Sequence, residues 1–359
     1  MPEPPLLQYR AGRSARRRLL ERGLVPEAVG AVVGPASGPK WLALVGLDHA
    51  LLESGLLLGD SGSGRRRLLV GASAGAWRMA AMSSPDPLRT HRRLVEGYVG
   101  KVFPKKVTAS MVTDAYVPML SELFPAQDVK RTLGHPNVDL AAHAVRVRKR
   151  LPVRPRPLLA AWLAGAAAAN LVSPRALGAF VERVLFHSAP DRFTGEVRGR
   201  VEPLTDTAFR QVLLASASVP MALEAVDTPR GAPQGQYLDG GVTDYHLATR
   251  YLVADDDRIV LLPHYRERIA PGWFDKHLRR SAPPGLLRNV LQIFPDPSWV
   301  ASLPGGRVPD RRDFYELVDV PEARLARWNE VVALSERLGQ ALLSDLQSGT
   351  WADRLEPLT

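Results

Sequence analysis

The sequence predicts an α/β fold with a mainly parallel central sheet flanked by helices. Two segments, residues 27–55 and 59–85, show a similar alternation of a short apolar strand, a glycine-containing loop and a helix. This alternation is typical of parallel sheets, because a crossover between parallel strands needs a long connection that is usually helical. The chain of 359 residues is long enough to bury a large core.

The first segment contains the apolar run 27–33, which predicts a buried strand ending at the Gly/Pro/Ser cluster 34–39. Apolar residues at near-helical spacing then predict a helix that ends at Gly55. In the second segment, residues 68–70 predict a strand, and the sequence Ala76 to Met82 favours a helix. The pentapeptide between them is Gly71-Ala72-Ser73-Ala74-Gly75.

The rest of the chain adds strands and helices to this pattern. Strands are predicted at 140–147 and 258–263, and helices at 209–217, from about 174 and from about 321. The apolar, alanine-rich segment 158–172 is shorter than the roughly 18 to 20 residues that span a bilayer. It therefore predicts a buried or interfacial helix.

Composition excludes several classes of site. The chain has no cysteine, so it has no disulfide, thiolate metal site or cysteine nucleophile. Its N-terminus lacks the apolar run of a secretory signal, so we expect a cytoplasmic location.

The net charge of +10 is concentrated in arginine-rich runs near residues 16–18, 65–67, 146–150 and 279–280. Such runs are either ordinary solvated faces or a means of peripheral contact with an anionic membrane. No zinc-finger, aromatic RNA-binding or helix-turn-helix pattern accompanies them, which argues against nucleic acid.

The pentapeptide around Ser73 fits G-x-S-x-G. In this motif, small flanking residues permit a sharp strand-to-helix turn that projects a nucleophilic serine above the sheet. The N-terminus of the following helix would also stabilise developing negative charge.

In a second segment, Tyr237-Leu238-Asp239-Gly240-Gly241, an acidic residue follows two apolar residues and precedes two glycines. The glycines allow another backbone to approach the carboxylate closely. By itself, Asp-Gly-Gly is also compatible with an ordinary turn.

Together these motifs resemble those of the patatin-like phospholipase family, with a small-residue segment at 215–220 in the expected order before the aspartate. The resemblance extends from about Glu27 to Pro263, predicts a catalytic domain at 27–265 and implies a three-layer fold and a Ser-Asp dyad. It implies that Ser73 is the nucleophile, that Asp239 is the general base and that the substrate is a lipid or other acyl ester. No cofactor or metal is implied. The expected organisation adds a basic segment at 1–26, a candidate cap or insertion near 150–185, and a helical extension at 266–359 packed on the same domain.

The predicted oxyanion loop, residues 34–40, departs from the family pattern because Pro35 has no N–H. The remaining candidate donors are the N–H groups of Gly34, Ala36, Ser37, Gly38 and Ala74. Lys40 is a candidate for the basic residue that the family carries in this loop.

Three alternatives remain open. His246, His264 and His277 follow Asp239, so a Ser-Asp-His triad of the α/β-hydrolase type is available. A Gly-Asp-Ser-Gly sequence at 59–62 resembles another serine nucleophile motif but lies in a loop before three arginines. The chain could also be a lipid-binding or regulatory protein of the same fold that is catalytically weak or inactive.

Overall fold

The computed structural model describes residues 5–59, 64–149, 156–253 and 255–358. Its strands are β1 (Leu7–Ala11), β2 (Val29–Gly34), β3 (Arg67–Ala72), β4 (Val138–Val147), β5 (Val181–His187), β6 (Arg200–Pro203), β7 (Val226–Asp227), β8 (Gln236–Asp239), β9 (Ile259–Pro263), β10 (Val290–Pro295) and β11 (Leu355–Pro357). Its α-helices are α1 (Arg13–Arg22), α2 (Val45–Glu53), α3 (Ala74–Met82), α4 (Pro87–Val99), α5 (Ala109–Leu123), α6 (Ala126–Leu133), α7 (Arg156–Val172), α8 (Phe209–Ala217), α9 (Pro284–Leu287), α10 (Pro297–Ser302), α11 (Arg312–Glu316) and α12 (Pro321–Ser348).

All the strands named above belong to one sheet, in which β11-β1-β10-β9-β2-β3-β4-β5-β6 is the main order and β8 pairs with β4 and β7. The five neighbouring strands β10, β9, β2, β3 and β4 run parallel to one another. The antiparallel pairs lie toward the edges, where β1 joins β10 and β5 joins β4. The predicted α/β fold with a mainly parallel central sheet is therefore confirmed.

The sheet separates two apolar clusters, because alternate side chains of a strand point to opposite faces. Val32 and Leu69 face a large core that also contains residues of α2, α3, α4, α5, α8 and α12. Val33 and Val70 face a smaller cluster, which is covered mainly by residues between 245 and 290. Both faces of the central strands are buried, as continuous apolar runs predict.

Two expectations about the organisation need correction. The helix expected from Pro174 is a short 3-10 turn, Ala176–Ala179, followed by strand β5. The β-branched and aromatic residues of β5 pair with β4 along seven positions, and this pairing overrides the helical spacing. The C-terminal extension is also not purely helical, since β10 and β11 both pair with the N-terminal strand β1.

Helix α7 forms the first described part of the candidate cap and is followed by the 3-10 turn and the start of β5, while residues 150–155 lie outside the described part of the chain. Its buried residues Leu159 and Ala166 pack with Val145 and Leu238 in a third, small cluster. Among the helices that the structure describes, none has both the length and the apolar character needed to cross a bilayer.

Candidate active site

The register of β4 brings the two sequence motifs together. β3 runs parallel to the first half of β4 and ends with Ala72 opposite His143. β8 runs antiparallel to the second half, with Asp239 opposite Ala144. Both strands therefore reach their last residues at adjacent positions of β4, and the turns that carry Ser73 and Asp239 meet there.

Ser73 occupies the sharp turn between β3 and α3, as its motif predicts. Its backbone has φ 57° and ψ −134°, a conformation that costs energy for a residue other than glycine. The flanking glycines are sterically required: a Cβ on Gly71 would overlap the Gly75 carbonyl oxygen, and a Cβ on Gly75 would overlap the Gly34 carbonyl. The strained turn is therefore supported by close contact with β2.

Asp239 is positioned by a similar arrangement of glycines. A Cβ on Gly240 would overlap the carbonyl of His143, so Gly240 allows the turn to lie against β4. A Cβ on Gly241 would lie 2.7 Å from the Ala36 side chain. The Gly241 N–H donates a hydrogen bond of 2.7 Å to Asp239 Oδ1, which fixes one carboxylate oxygen.

The small-residue segment 215–220, which begins in the last turn of α8, connects the two turns. The Ser73 N–H lies 3.0 Å from both the carbonyl oxygen and the Oγ of Ser216. Ser216 Oγ in turn donates to the His143 carbonyl at 2.6 Å, and the Asp239 N–H donates to the Ser218 carbonyl at 3.0 Å. The segment 215–220 thus holds both Ser73 and Asp239 through hydrogen bonds to their backbone N–H groups.

The electrostatics of Asp239 differ from those of an exposed carboxylate. Burial raises its pKa to about 6, while the Ser73 side chain, the Gly241 N–H and the positive charges of Arg311 and Lys276 limit the rise. The carboxylate is therefore ionised at neutral pH, yet it accepts a proton more readily than an exposed aspartate does. Such a group is suited to act as a general base.

The structure reduces the set of predicted oxyanion donors. The Ala36 N–H donates to the Tyr245 carbonyl at 2.8 Å, so in this structure it is not free to donate to an oxyanion. Gly34 lies within β2, where the absence of a side chain makes room for the Gly75 carbonyl. In the part of the chain that the structure describes, the N–H groups of Ser37 and Gly38 have no acceptor. Ala74 is the first residue of α3, where an N–H has no partner within the helix.

Ser73 lies where two cavities meet. A cavity of about 250 Å³ has mainly apolar and aromatic walls, formed by Trp77, Tyr98, Phe103, Tyr116, Leu223 and Phe314. The other, of about 360 Å³, is lined by Asp239 and by the basic residues Lys40, Arg266, Lys276, Arg311 and Arg312. We call them the apolar cavity and the basic cavity. Gly38, Ser73 and Arg311 line both.

Sequence reasoning missed Lys276 and Arg311. Arg311 lies close to Gly38, since a Cβ on Gly38 would be 3.5 Å from Arg311 Nε. Lys40, the residue proposed for the basic position of the loop, instead forms an ion pair of 2.5 Å with Asp310. Neither Lys276 nor Arg311 belongs to a motif or a periodic pattern, so only the folded chain reveals them.

Two of the three candidate histidines are engaged elsewhere. His246 is fully buried, with Nε2 2.9 Å from the Tyr265 hydroxyl and Nδ1 accepting from the Ala270 N–H at 2.8 Å. His264 is also fully buried, and its Nδ1 accepts from the Arg266 N–H at 3.1 Å. His277 lines the basic cavity. No hydrogen bond within the described residues joins any of these histidines to Asp239 or Ser73, and residues 60–62 of the Gly-Asp-Ser-Gly sequence lie outside those residues.

Comparison with protein families matches residues 45–249 to the model of the family described as patatin-like phospholipase. Among solved structures, the chain is similar to VipD from Legionella pneumophila, with 14% identity and a TM-score of 0.36. That similarity covers 66% of this chain and 50% of VipD, so the chain spans about half the length of that protein. Curated protein sequences give no match. The family match includes the motifs of Ser73 and Asp239 but excludes Lys276 and Arg311.

Proposed function

Because the chain belongs to the patatin-like phospholipase family, we propose that it is a serine acyl hydrolase that cleaves carboxylic ester bonds in lipids. Family membership by itself suggests lipid acyl hydrolase activity. The proposal adds that Ser73 is the nucleophile and Asp239 the general base. The observation that carries it is the meeting, along β4, of a strained serine turn and a buried aspartate that interacts with the serine side chain.

In the proposed reaction, Ser73 Oγ attacks the ester carbonyl carbon while Asp239 accepts the hydroxyl proton. The N–H groups of Gly38 and Ala74, together with that of Ser37, are the candidate donors to the resulting oxyanion. Asp239 then gives its proton to the leaving alkoxide, and an acyl-enzyme on Ser73 remains. Water attacks this acyl-enzyme while Asp239 accepts a proton from it, and Asp239 then returns this proton to Ser73 Oγ as the bond between Oγ and the acyl carbon breaks and the carboxylic acid is released.

The two cavities supply opposite environments for the two parts of an ester. The aromatic and aliphatic walls of the apolar cavity suit an acyl chain, because each buried methylene group contributes about 0.8 kcal/mol. With the acyl chain in that cavity, the alcohol part points toward the basic cavity, since Ser73 lines both.

A fluorophosphonate probe tests this proposal, because the probe reacts covalently only with an activated serine. We expect labelling of the native chain and none of Ser73→Ala. Ser216→Ala is a less suitable control because Ser216 supports the turn, whereas Ser61→Ala removes a serine of the other motif and should keep full labelling. Labelling that persists in folded Ser73→Ala would exclude Ser73 as the nucleophile.

A lipid-binding or regulatory protein with weak or no turnover is the second candidate. Pro35 lacks an N–H and Ala36 donates its own to Tyr245, so the loop has fewer free donors than the resemblance implies. This candidate predicts binding of a long-chain ester without labelling or hydrolysis. A cytoplasmic location with peripheral contact to an anionic membrane remains part of the proposal under either candidate.

A further inference from the structure

A third cavity lies apart from the two that meet at Ser73. It has a volume of about 600 Å³ and, among the described residues, shares no lining residue with either of them. The chain passes from one site to the other between Val242, which lines the basic cavity, and Thr243, which lines the third cavity. We call the third cavity the arginine cavity, because five arginines line it: Arg175, Arg183, Arg198, Arg250 and Arg280.

The walls of the arginine cavity offer many more hydrogen-bond donors than free acceptors. Four hydroxyl side chains line it in addition to the five arginines, and its carboxylates are those of Glu196 and Asp244. Within the residues that the structure describes, no lysine contributes to these walls. Guanidinium groups bind planar or tetrahedral oxyanions through pairs of parallel hydrogen bonds, which an ammonium group cannot do. The composition of the walls therefore favours an anion with several oxygen atoms.

Three of the five arginines are neutralised by carboxylates, and two are not. In the part of the chain that the structure describes, the side chains of Arg175 and Arg198 form no ion pair. Two guanidinium charges are therefore left for a ligand. The three ion pairs have N–O distances of 2.6 to 2.9 Å and join Arg183 to Asp244, Arg250 to Glu196, and Arg280 to Asp275.

The two unpaired arginines lie at one end of the arginine cavity. A smaller cavity of about 290 Å³ adjoins it there, and Arg175, Arg183 and Arg198 line both. Arg198 is brought close to Arg183 because the next residue is glycine: a Cβ on Gly199 would overlap the Arg183 carbonyl oxygen. The unpaired guanidinium groups thus border the same space.

A diphosphate group fits this arrangement better than a single phosphate or carboxylate does. Each phosphate carries up to about two negative charges near neutral pH, so two linked phosphates can accept hydrogen bonds from both unpaired guanidinium groups. The volume of the cavity also leaves room for an organic part, since small-molecule sites measure about 300–1,000 Å³. Pro271 and Leu286 give the cavity an apolar wall for such a part.

We propose that the arginine cavity is a binding site for a diphosphate group, free or within an organic compound, with Arg175 and Arg198 as its main contacts. The site is separate from the proposed active site. It does not depend on ester hydrolysis, so either proposal can fail without the other.

Calorimetric titration with pyrophosphate tests the inference at about 0.15 M salt, where charges more than about 8 Å apart are largely screened. We expect saturable binding of one pyrophosphate per native chain and at least about tenfold weaker binding of orthophosphate, which can reach only one of the two guanidinium groups. Arg175→Gln and Arg198→Gln should each weaken pyrophosphate binding about tenfold, the effect of losing hydrogen bonds to a charged group.

Two further variants are the controls. Arg92→Gln removes an exposed arginine of α4 that lines none of these cavities, and it should bind pyrophosphate as the native chain does. Lys276→Met alters the basic cavity and should also retain full binding. Arg175 and Arg198 are exposed, so we expect their variants to fold, which circular dichroism checks before titration.

Several results would overturn the inference. One is the absence of saturable binding to the native chain, and another is unchanged binding when Arg175 and Arg198 are both replaced by Gln. Equal weakening by Arg92→Gln would indicate a general effect of charge, and loss of binding in Lys276→Met would place the anion beside Ser73. Orthophosphate that binds as tightly as pyrophosphate would reject the diphosphate.

ADP and adenosine identify the source of the diphosphate group. ADP that binds more tightly than pyrophosphate, while adenosine does not bind, would support the inference and assign the site to an organic diphosphate. ADP that binds as tightly as pyrophosphate or more weakly would support it and assign the site to the free anion. Adenosine that binds as tightly as ADP would contradict it, because the phosphates would then contribute nothing.

Discussion

At the scale of single residues, Asp239 determines how the proposed chemistry depends on pH. A general base must be ionised to accept the serine proton, and burial raises the pKa of Asp239 to about 6. We therefore expect kcat/KM for a neutral p-nitrophenyl ester to be low below pH 6 and to reach a plateau above it. A profile that stays flat from pH 5 to 8 would contradict Asp239 as the base.

Substitution separates the dyad from a histidine triad. Asp239→Asn should remove nearly all hydrolysis of the p-nitrophenyl ester, because an amide cannot act as a base. His277→Ala should retain most of it, although His277 lines the same cavity. His246→Ala and His264→Ala remove buried hydrogen-bonded rings, so their activity is compared only after circular dichroism shows a native fold. A collapse of kcat/KM in any folded histidine variant would support the triad.

The same aspartate should lower the stability of the fold at neutral pH. Its pKa is raised on folding, so the folded state binds the proton more tightly, and stability is lost as pH rises from about 4 to about 6. Asp239→Asn lacks this charge and should unfold at higher denaturant concentration at pH 8, with a gain of up to about 3 kcal/mol. At pH 4 the two proteins should differ little. A less stable variant at pH 8 would indicate that the ionised carboxylate stabilises the fold.

At the scale of elements, the close crossing of α2 and α12 supports the loop that carries Ser37 and Gly38. A Cβ on Gly339 would overlap the Gly46 carbonyl, and the Gly46 N–H donates to Ser335 Oγ at 3.0 Å. Helix α2 directly follows the 3-10 segment Gly38–Leu44, so this crossing fixes the end of the candidate oxyanion loop.

We therefore expect Gly339→Ala to destabilise the protein by about 1–3 kcal/mol in urea unfolding, because the two backbones must separate. Gly285→Ala is the control, since a Cβ there meets open space and stability should change by less than about 0.5 kcal/mol. Equal stability of the two variants would show that the crossing can relax.

Local sequence patterns specify some elements of this fold, whereas others depend on long-range pairing. Buried runs such as β2, β3 and β9 have continuous apolar sequences, and α8 and α12 have clear helical periodicity. Strand β5 was missed because apolar residues such as Phe180, Val181 and Val184 also fit a helical spacing, and only the pairing of β5 with β4 decides between the two periods. The glycine motifs revealed both turns of the site, whereas Lys276 and Arg311 reach it through long-range packing that no local pattern records.

At the scale of the whole molecule, many of the positively charged side chains form ion pairs or hydrogen bonds with other groups of the protein. In the arginine-rich runs, Arg66 pairs with Asp139, Arg146 with Glu182 and Arg280 with Asp275. Arg67 is fully buried and donates to backbone carbonyls, among them that of Val29 at 3.0 Å. These runs therefore stabilise the fold in addition to contributing surface charge, and they do not form one free basic face.

The exposed apolar residues indicate where a lipid surface would meet the molecule. Met221 and Tyr315 line the apolar cavity, and their side chains are 50% and 73% exposed. We call this pair the cavity rim. A second exposed apolar pair, Leu171 and Val172, lies at the end of α7. Neither residue lines the apolar or the basic cavity. The two pairs allow a matched comparison of membrane contact.

We expect vesicles that contain anionic lipid to retain the protein better than neutral vesicles, and added salt to reduce the difference, because screening weakens attraction by the surface charges that remain unpaired. Replacing both rim residues, Met221→Ser with Tyr315→Ser, should lower retention on either lipid about tenfold, since each loses favourable burial. Leu171→Ser with Val172→Ser should bind as the native chain does. If the α7 variant is the one that loses binding, the membrane contact lies on α7. Equal retention on anionic and neutral vesicles would show that the net charge of +10 plays no part in it.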